Sequence, residues 1–142
     1  MLTKQKGTIA EQAVTLAALQ RNWGVAVPVG DFLPYDLIFD VNGHLLKIQV
    51  KSAWYDATKQ NYVVDNRRTK TNRREMIRSP YHDQDFDFAI LYIDALSVFY
   101  VMPSEVFNSY GSEIHLVEGE KRQRKPKSFA YREAWALLEG EG

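Results

Sequence analysis

The chain contains no cysteine among its 142 residues. This absence excludes disulfide scaffolds, thiolate zinc sites and cysteine nucleophiles, and it is compatible with a reducing compartment. No apolar run is unbroken over the length of a membrane span, because Asp87, Asp94 and Ser97 interrupt the most apolar stretch, 86–102. The N-terminus has no apolar segment typical of a signal peptide, so we expect a cytoplasmic, intracellular protein with no membrane partner.

The chain also lacks an excess of charge of either sign. Lysine and arginine together number 18, and aspartate and glutamate together also number 18. A polyanionic partner would therefore have to be bound by local clusters of basic residues. The length and an apolar content of 45% suit one domain with a substantial core. We expect a single domain over 1–142, with a basic C-terminal extension from about 118 to 142.

The spacing of apolar residues predicts a helix followed by several strands. Ile9, Ala13 and Leu16 recur at helical spacing within a helix predicted at 3–22, and Gly24 interrupts the pattern. The other predicted elements are strands at 25–29, 35–41, 44–53, 61–64, 86–93 and 97–102, a helix or loop over the polar stretch 66–79, a short helix opened by Pro103, and a final helix at 129–138. This order predicts an α/β or α+β domain around a mixed central sheet.

A two-residue turn fixes how two of these strands pair. Asn42-Gly43 is a pair that two-residue hairpin turns prefer. Counting back along both strands from this turn places Asp36 opposite Gln49, and Lys51, two residues farther on, shares their face. The other face carries the apolar side chains that we expect to face the core, Leu37, Phe39, Val41, Leu46, Ile48 and Val50.

The grouping of Asp36, Gln49 and Lys51 has the chemistry of metal-dependent phosphodiester hydrolysis. Carboxylate and amide oxygens are hard ligands of the kind that Mg²⁺ prefers. A metal ion lowers the pKa of a bound water and offsets charge on the phosphate. A nearby lysine can orient or deprotonate the attacking water, or neutralise the phosphate. The alternative is a solvated ion pair between Asp36 and Lys51 on a half-exposed strand face, and the pattern alone does not separate the two interpretations.

The residues around this grouping resemble the PD-(D/E)XK nuclease superfamily. Pro34-Tyr35-Asp36 is similar to the first half of the family motif with one inserted residue, Gln49-Val50-Lys51 is similar to the second half, and Glu11 is similar to the acidic residue of the first helix. The predicted order of elements is similar to the family core. The stretch 86–106 resembles the subgroup of homing endonucleases encoded in cyanobacterial group I introns, and the whole resemblance covers roughly 3–107.

The resemblance implies a restriction-endonuclease-like fold and site-specific cleavage of both strands of double-stranded DNA with a long recognition site, in intron homing. It implies Glu11, Asp36, Gln49 and Lys51 as catalytic residues, with Asp36, Gln49 and Glu11 as ligands of Mg²⁺, for which Mn²⁺ can substitute. No organic cofactor is implied. One site per subunit needs two subunits to cut a duplex, so we expect a homo-oligomer, a dimer or a tetramer. Most family members have an acidic residue in place of Gln49, and this departure weakens the metal site unless Glu11 compensates.

Two clusters of basic residues could contact DNA. Arginine side chains suit bidentate contacts with phosphates and guanine edges. The candidate DNA-binding residues are Arg67, Arg68, Lys70, Asn72, Arg73, Arg74 and Arg78 in the first cluster, and Lys121, Arg122 and Arg124 in the second. The alternative for both clusters is a solvated surface.

Two other functions remain open at this level. One is a structure-specific nuclease such as a Holliday-junction resolvase, and the other is a non-catalytic DNA-binding module of the same fold, which Gln49 favours. Among the aromatic residues, we expect Trp23, Trp54 and Trp135 to lie in the core.

Overall fold

A five-stranded mixed sheet forms the centre of the chain in the computed structural model, which describes residues 2–71, 76–119 and 126–140. Only the backbone is described at 68–71 and 76–79. The helices are α1 (Thr3–Gln20) and α2 (Ser104–Ser109), and short 3₁₀ helices cover Asp94–Leu96, Lys127–Tyr131 and Trp135–Glu139. The strands are β1 (Gly24–Ala26), β2 (Leu37–Val41), β3 (His44–Ser52), β4 (Trp54–Asp56), β5 (Asn61–Asp65), β6 (Arg67–Thr71), β7 (Met76–Pro80), β8 (Phe88–Ile93), β9 (Val98–Pro103) and β10 (Glu113–Leu116).

Helix α1 packs a face of small apolar side chains against the sheet. Its buried residues recur at helical spacing and are Ala10, Val14, Ala17 and Ala18. Of the predicted apolar positions, Ile9 and Ala13 pack against the same core, whereas Leu16 is 56% exposed, so the prediction is wrong for Leu16 alone. The helix ends where Asn22 takes the left-handed conformation, with φ at 63°, and the N–H of Trp23 donates to the carbonyl of Ala18 at 3.1 Å.

The β2–β3 hairpin has the predicted turn and register. Asn42 and Gly43 both have positive φ, 53° and 90°, as a type I′ turn requires. Val41 pairs with His44, and the pairing continues to Leu37 and Ile48. The predicted register is therefore confirmed. A two-residue turn allows only one register for the two strands that it joins.

The main sheet has the strand order β1-β2-β3-β8-β9. β3 and β8 run parallel and the other neighbours run antiparallel, so the predicted mixed sheet is confirmed. Alternate residues of β8 enter two different cores: Ile90 and Tyr92 lie with α1 on one face, while Ala89 and Leu91 lie on the other. Burial on both faces explains why β8 is an unbroken apolar run.

The prediction of helix or loop at 66–79 is wrong, because β6 and β7 form a separate two-stranded antiparallel ribbon. We call Arg67–Pro80 the basic ribbon. Arg67 pairs with Pro80 at its base. β6 contains no apolar residue and β7 has no apolar alternation, so the sequence carries no periodic signal for the ribbon. The strands β4 and β10, which flank β5 in a three-stranded sheet, were also not predicted, because at three and four residues they are too short for a period to be recognised.

The final helix predicted at 129–138 is also wrong, because two 3₁₀ helices replace it. Between them Glu133 has φ at 51°, and its N–H donates to the carbonyl of Phe99 at 2.7 Å. The N–H of Glu133 therefore bonds to β9, whereas in a continuous helix it would bond to a carbonyl within the helix. Next to this bond, Arg132 forms a bidentate contact with the carboxylate of Glu118. The same carboxylate also accepts a hydrogen bond from the hydroxyl of Tyr100.

The three tryptophans divide between core and surface. Trp23 and Trp135 are buried and pack 6.2 Å apart between ring centroids, as expected. Trp54 is 43% exposed, so its expected place in the core is wrong. It lies on β4, an edge strand of the three-stranded sheet. Within the described ranges, neither helix is long and apolar enough to cross a membrane.

Candidate active site

Asp36 lies immediately before β2, where the β2–β3 ladder ends. Its N–H donates to the carbonyl of Ile48 at 2.8 Å. Its Oδ2 accepts two hydrogen bonds, one from the backbone N–H of Val50 at 2.8 Å and one from Nε2 of Gln49 at 2.9 Å. The carboxylate thus takes the place that a β2 carbonyl would occupy beside β3, and its orientation is fixed by both bonds.

Gln49 is buried, with 7% of its surface exposed. Its Nε2 donates to Asp36 and also to its neighbour's carbonyl, that of Val50, at 3.2 Å. In this orientation Oε1 is the atom of the amide that can bind a cation. The predicted proximity of Asp36 and Gln49 therefore appears in the structure as a direct hydrogen bond between their side chains.

Lys51 lies two residues farther along β3. Its Nζ donates to the carbonyl of Arg67 at 3.1 Å and lies 5.1 Å from the centroid of the Tyr81 ring. Burial raises the pKa of Asp36, and the positive charge of Lys51 offsets part of that rise. The lysine is therefore held on the face of the sheet that also carries Gln49.

Glu11 reaches this site from α1, which packs against β3. Burial raises the pKa of Glu11, and the negative charge of Asp36 raises that pKa further. Burial also raises the pKa of Asp36, against the smaller lowering effects of the Val50 N–H and the Lys51 charge. Of the four predicted catalytic residues, the structure thus brings Asp36 and Gln49 into direct contact and places Lys51 and Glu11 within electrostatic reach of Asp36.

The donor set at this site fits a divalent cation. Two partly desolvated carboxylates, those of Glu11 and Asp36, repel each other and would both be stabilised by a positive ion between them. The described residues contain no group of three or more His, Asp or Glu side chains that could hold a metal ion. This site has only two such side chains because its third donor, Gln49, is an amide. The amide oxygen is nevertheless a hard ligand of the kind that Mg²⁺ accepts.

The structure describes only part of the candidate DNA-binding set. The side chain of Arg67 is 42% exposed, and its Nε lies 3.8 Å from Oδ1 of Asp65. For Arg68, Lys70 and Arg78 only the backbone is described, in the basic ribbon. The candidates Asn72, Arg73, Arg74, Lys121, Arg122 and Arg124 lie outside the described residues.

Three groups around the site were not predicted. They are the ring of Tyr81, the carbonyl of Arg67 and the N–H of Val50. Every residue except proline carries the same backbone donor and acceptor, so the sequence holds no signal for two of them. For the Tyr81 ring, the only signal in the sequence is its position directly after the basic stretch.

Comparisons with known proteins assign the chain to a family. The sequence profile of the PD-(D/E)XK endonucleases matches residues 1–138. The chain belongs to the PD-(D/E)XK endonuclease family. This endonuclease is similar to a solved structure described as a bacterial homing endonuclease, I-Ssp6803I, with 62% sequence identity and a TM-score of 0.91. The match covers 97% of this chain and 93% of that one.

A search of curated proteins gave no match. The family and the restriction-endonuclease-like fold predicted from the sequence are nonetheless confirmed, by the profile and by the structural match. The chain is a nuclease of the PD-(D/E)XK type.

Proposed function

We propose that this endonuclease is a Mg²⁺-dependent, site-specific enzyme that cuts both strands of a long DNA target in intron homing. The observation that carries the proposal is the convergence of Glu11, Asp36, Gln49 and Lys51 at one end of the β2–β3 ladder. The likeness to a protein described as a homing endonuclease supports the homing role.

Each residue has a role in this proposal. The carboxylates of Glu11 and Asp36 and Oε1 of Gln49 would hold the metal ion, which would act as a Lewis acid toward the scissile phosphate. Val50 and Gln49 orient Asp36 by the two hydrogen bonds to its Oδ2. Lys51 places its ammonium against the phosphate or the attacking water, where it offsets negative charge. Mn²⁺ has the same preference for oxygen ligands and is expected to substitute.

The basic ribbon and the segment containing Lys121, Arg122 and Arg124 supply the DNA contacts in this proposal. Ten of the chain's basic residues lie between Arg67 and Arg78 or between Lys121 and Lys125. Together they neutralise phosphates although the whole chain has no net charge. One site per subunit cuts one strand, so cleavage of a duplex needs a homo-oligomer, a dimer or a tetramer.

Two substitutions test the catalytic roles. Lys51→Ala and Asp36→Ala should each lower cleavage of the target by about a hundredfold or more, because each removes a group at the reacting phosphate. Binding, measured by titration of labelled target DNA in Ca²⁺, should stay within a few-fold of wild type. Cleavage at the wild-type rate in both variants would rule out this mechanism.

The alternatives predict different substrates or no reaction. A Holliday-junction resolvase should prefer branched DNA over a linear duplex of the same sequence, whereas a homing enzyme should not. A non-catalytic DNA-binding module, which the neutral Gln49 favours, should bind its site and leave it uncut with either Mg²⁺ or Mn²⁺. Incubating the wild-type protein with matched branched and linear substrates separates the three functions.

A further inference from the structure

Lys51 lies between the two chain segments that form the base of the basic ribbon. Its Nζ donates to the carbonyl of Arg67, the first residue of β6, at 3.1 Å. The same Nζ lies 5.1 Å from the centroid of the Tyr81 ring, and Tyr81 directly follows the last residue of β7. Because Arg67 pairs with Pro80 across the ribbon, both contacts come from the same end of it.

The Tyr81 ring is a rigid support for this ammonium. Tyr81 is 7% exposed and packs edge-on against Phe86, with ring centroids 5.2 Å apart, and against Phe107, with centroids 6.0 Å apart. Phe86 and Phe107 contact each other in the same core, at 5.6 Å. An ammonium over an aromatic face is attracted by the ring's negative electrostatic potential, and partial burial strengthens the attraction.

The second contact is also fixed in place. The N–H of Arg67 donates to Oδ1 of Asp65, the last residue of β5, at 2.9 Å. Asp65 therefore determines the direction in which the peptide of Arg67 enters the ribbon. The carbonyl that holds Lys51 is set by this local turn, and the ring that holds it is set by the core.

We infer that Tyr81 is a positioning residue for Lys51, and that the base of the basic ribbon holds the lysine against the reacting phosphate. This inference rests on the proposed function, in which Lys51 acts at the phosphate and the ribbon contacts DNA. The lysine is then held by the element that also binds the substrate, and the sheet alone does not fix its position.

The test compares Tyr81→Leu with Tyr81→Phe in single-turnover cleavage with Mg²⁺ at saturating protein. Tyr81→Leu should lower the rate about tenfold or more, because it removes the aromatic face, while Tyr81→Phe keeps the face and should stay within about twofold of wild type. The Kd for target DNA in Ca²⁺ should be unchanged in both variants, since neither removes a charge.

A matched control separates positioning from loss of stability. Leu116→Ala removes a fully buried side chain from the same core cluster, on β10, and should lower the melting temperature about as much as Tyr81→Leu, yet leave the single-turnover rate close to wild type. A wild-type rate in Tyr81→Leu, an equal loss in Tyr81→Phe, or an equal loss in Leu116→Ala would each overturn the inference.

A second pair of variants tests the other contact and serves if Tyr81→Leu does not fold. Asp65→Ala and Asp65→Asn both remove a charge, but only asparagine keeps an oxygen to accept the Arg67 N–H. Asp65→Ala should be several-fold slower than Asp65→Asn at saturation, and equal rates would count against the inference. If Lys51→Ala cleaves normally, the proposed function itself fails, which is a different result.

Discussion

At the scale of single residues, the neutral amide of Gln49 determines the balance of charge in the site. Its Nε2 donates to Asp36, which a glutamate at this position could do only when protonated. A third carboxylate would also add negative charge to a pair whose pKa values are already raised by burial. We therefore expect Gln49 to be favoured over a glutamate in the metal-free chain, and in the proposed metal site Glu11 would be the second charged ligand.

The raised pKa of Glu11 predicts how stability depends on pH. A carboxyl whose pKa is higher in the folded chain contributes stability below its unfolded pKa, and that contribution is lost as the pH rises through the folded pKa. Without metal, Glu11→Gln should therefore match wild type near pH 4 and melt at a higher temperature at pH 7. Mg²⁺ should raise the melting temperature of wild type more than that of Glu11→Gln, because the variant lacks one charged ligand.

The control for this prediction is Glu139→Gln, which changes an exposed carboxylate far along the chain from the site. It should follow wild type at every pH and with Mg²⁺. Identical melting curves for Glu11→Gln and wild type from pH 4 to 7 would show that the charge of Glu11 does not destabilise the folded chain.

At the scale of secondary-structure elements, the β2–β3 hairpin is what brings Asp36 to Gln49. A shift of one residue in register would move Gln49 and Lys51 to the opposite face of the sheet. The turn that prevents this shift depends on two residues with positive φ, Asn42 and Gly43. The hairpin was predictable because its signal is local, whereas the basic ribbon, which has no apolar alternation, was not.

The turn can be tested at Gly43, whose φ is 90°. Gly43→Ala should lower the free energy of unfolding by about 1–2 kcal/mol, because a Cβ is disfavoured in a left-handed conformation. The matched control is Gly111→Ala, since Gly111 has no positive φ and a Cβ there would meet nothing within 4 Å. Urea denaturation measures both variants, and equal destabilisation would mean that the turn does not fix the register energetically.

At the scale of the whole molecule, a chain with zero net charge has to bind a polyanion through local charge. The proposed contacts release counterions from DNA, so the logarithm of the binding constant should fall linearly with the logarithm of the salt concentration. Arg73→Ala should reduce the steepness of that line by about 0.9, the value for one phosphate contact.

Lys4→Ala provides the comparison, because Lys4 lies in the first turn of α1, outside both basic clusters. It removes the same charge from the chain and should leave the slope unchanged. Equal slopes for wild type and both variants, measured by fluorescence anisotropy over a range of salt concentrations, would contradict the assignment of Arg73 to the DNA interface.

The pairing of Asp36 with Gln49 could be predicted from the sequence alone, because it follows from a two-residue turn and from the alternation of side chains along a strand. The resemblance of the residues around Asp36, Gln49, Lys51 and Glu11 to the PD-(D/E)XK nucleases also indicated the family, which the sequence profile confirms. The contacts of Lys51 with the carbonyl of Arg67 and the ring of Tyr81, by contrast, arise from tertiary packing. A backbone carbonyl is the same in every residue, so the one that meets the lysine is set by how distant segments of the chain pack.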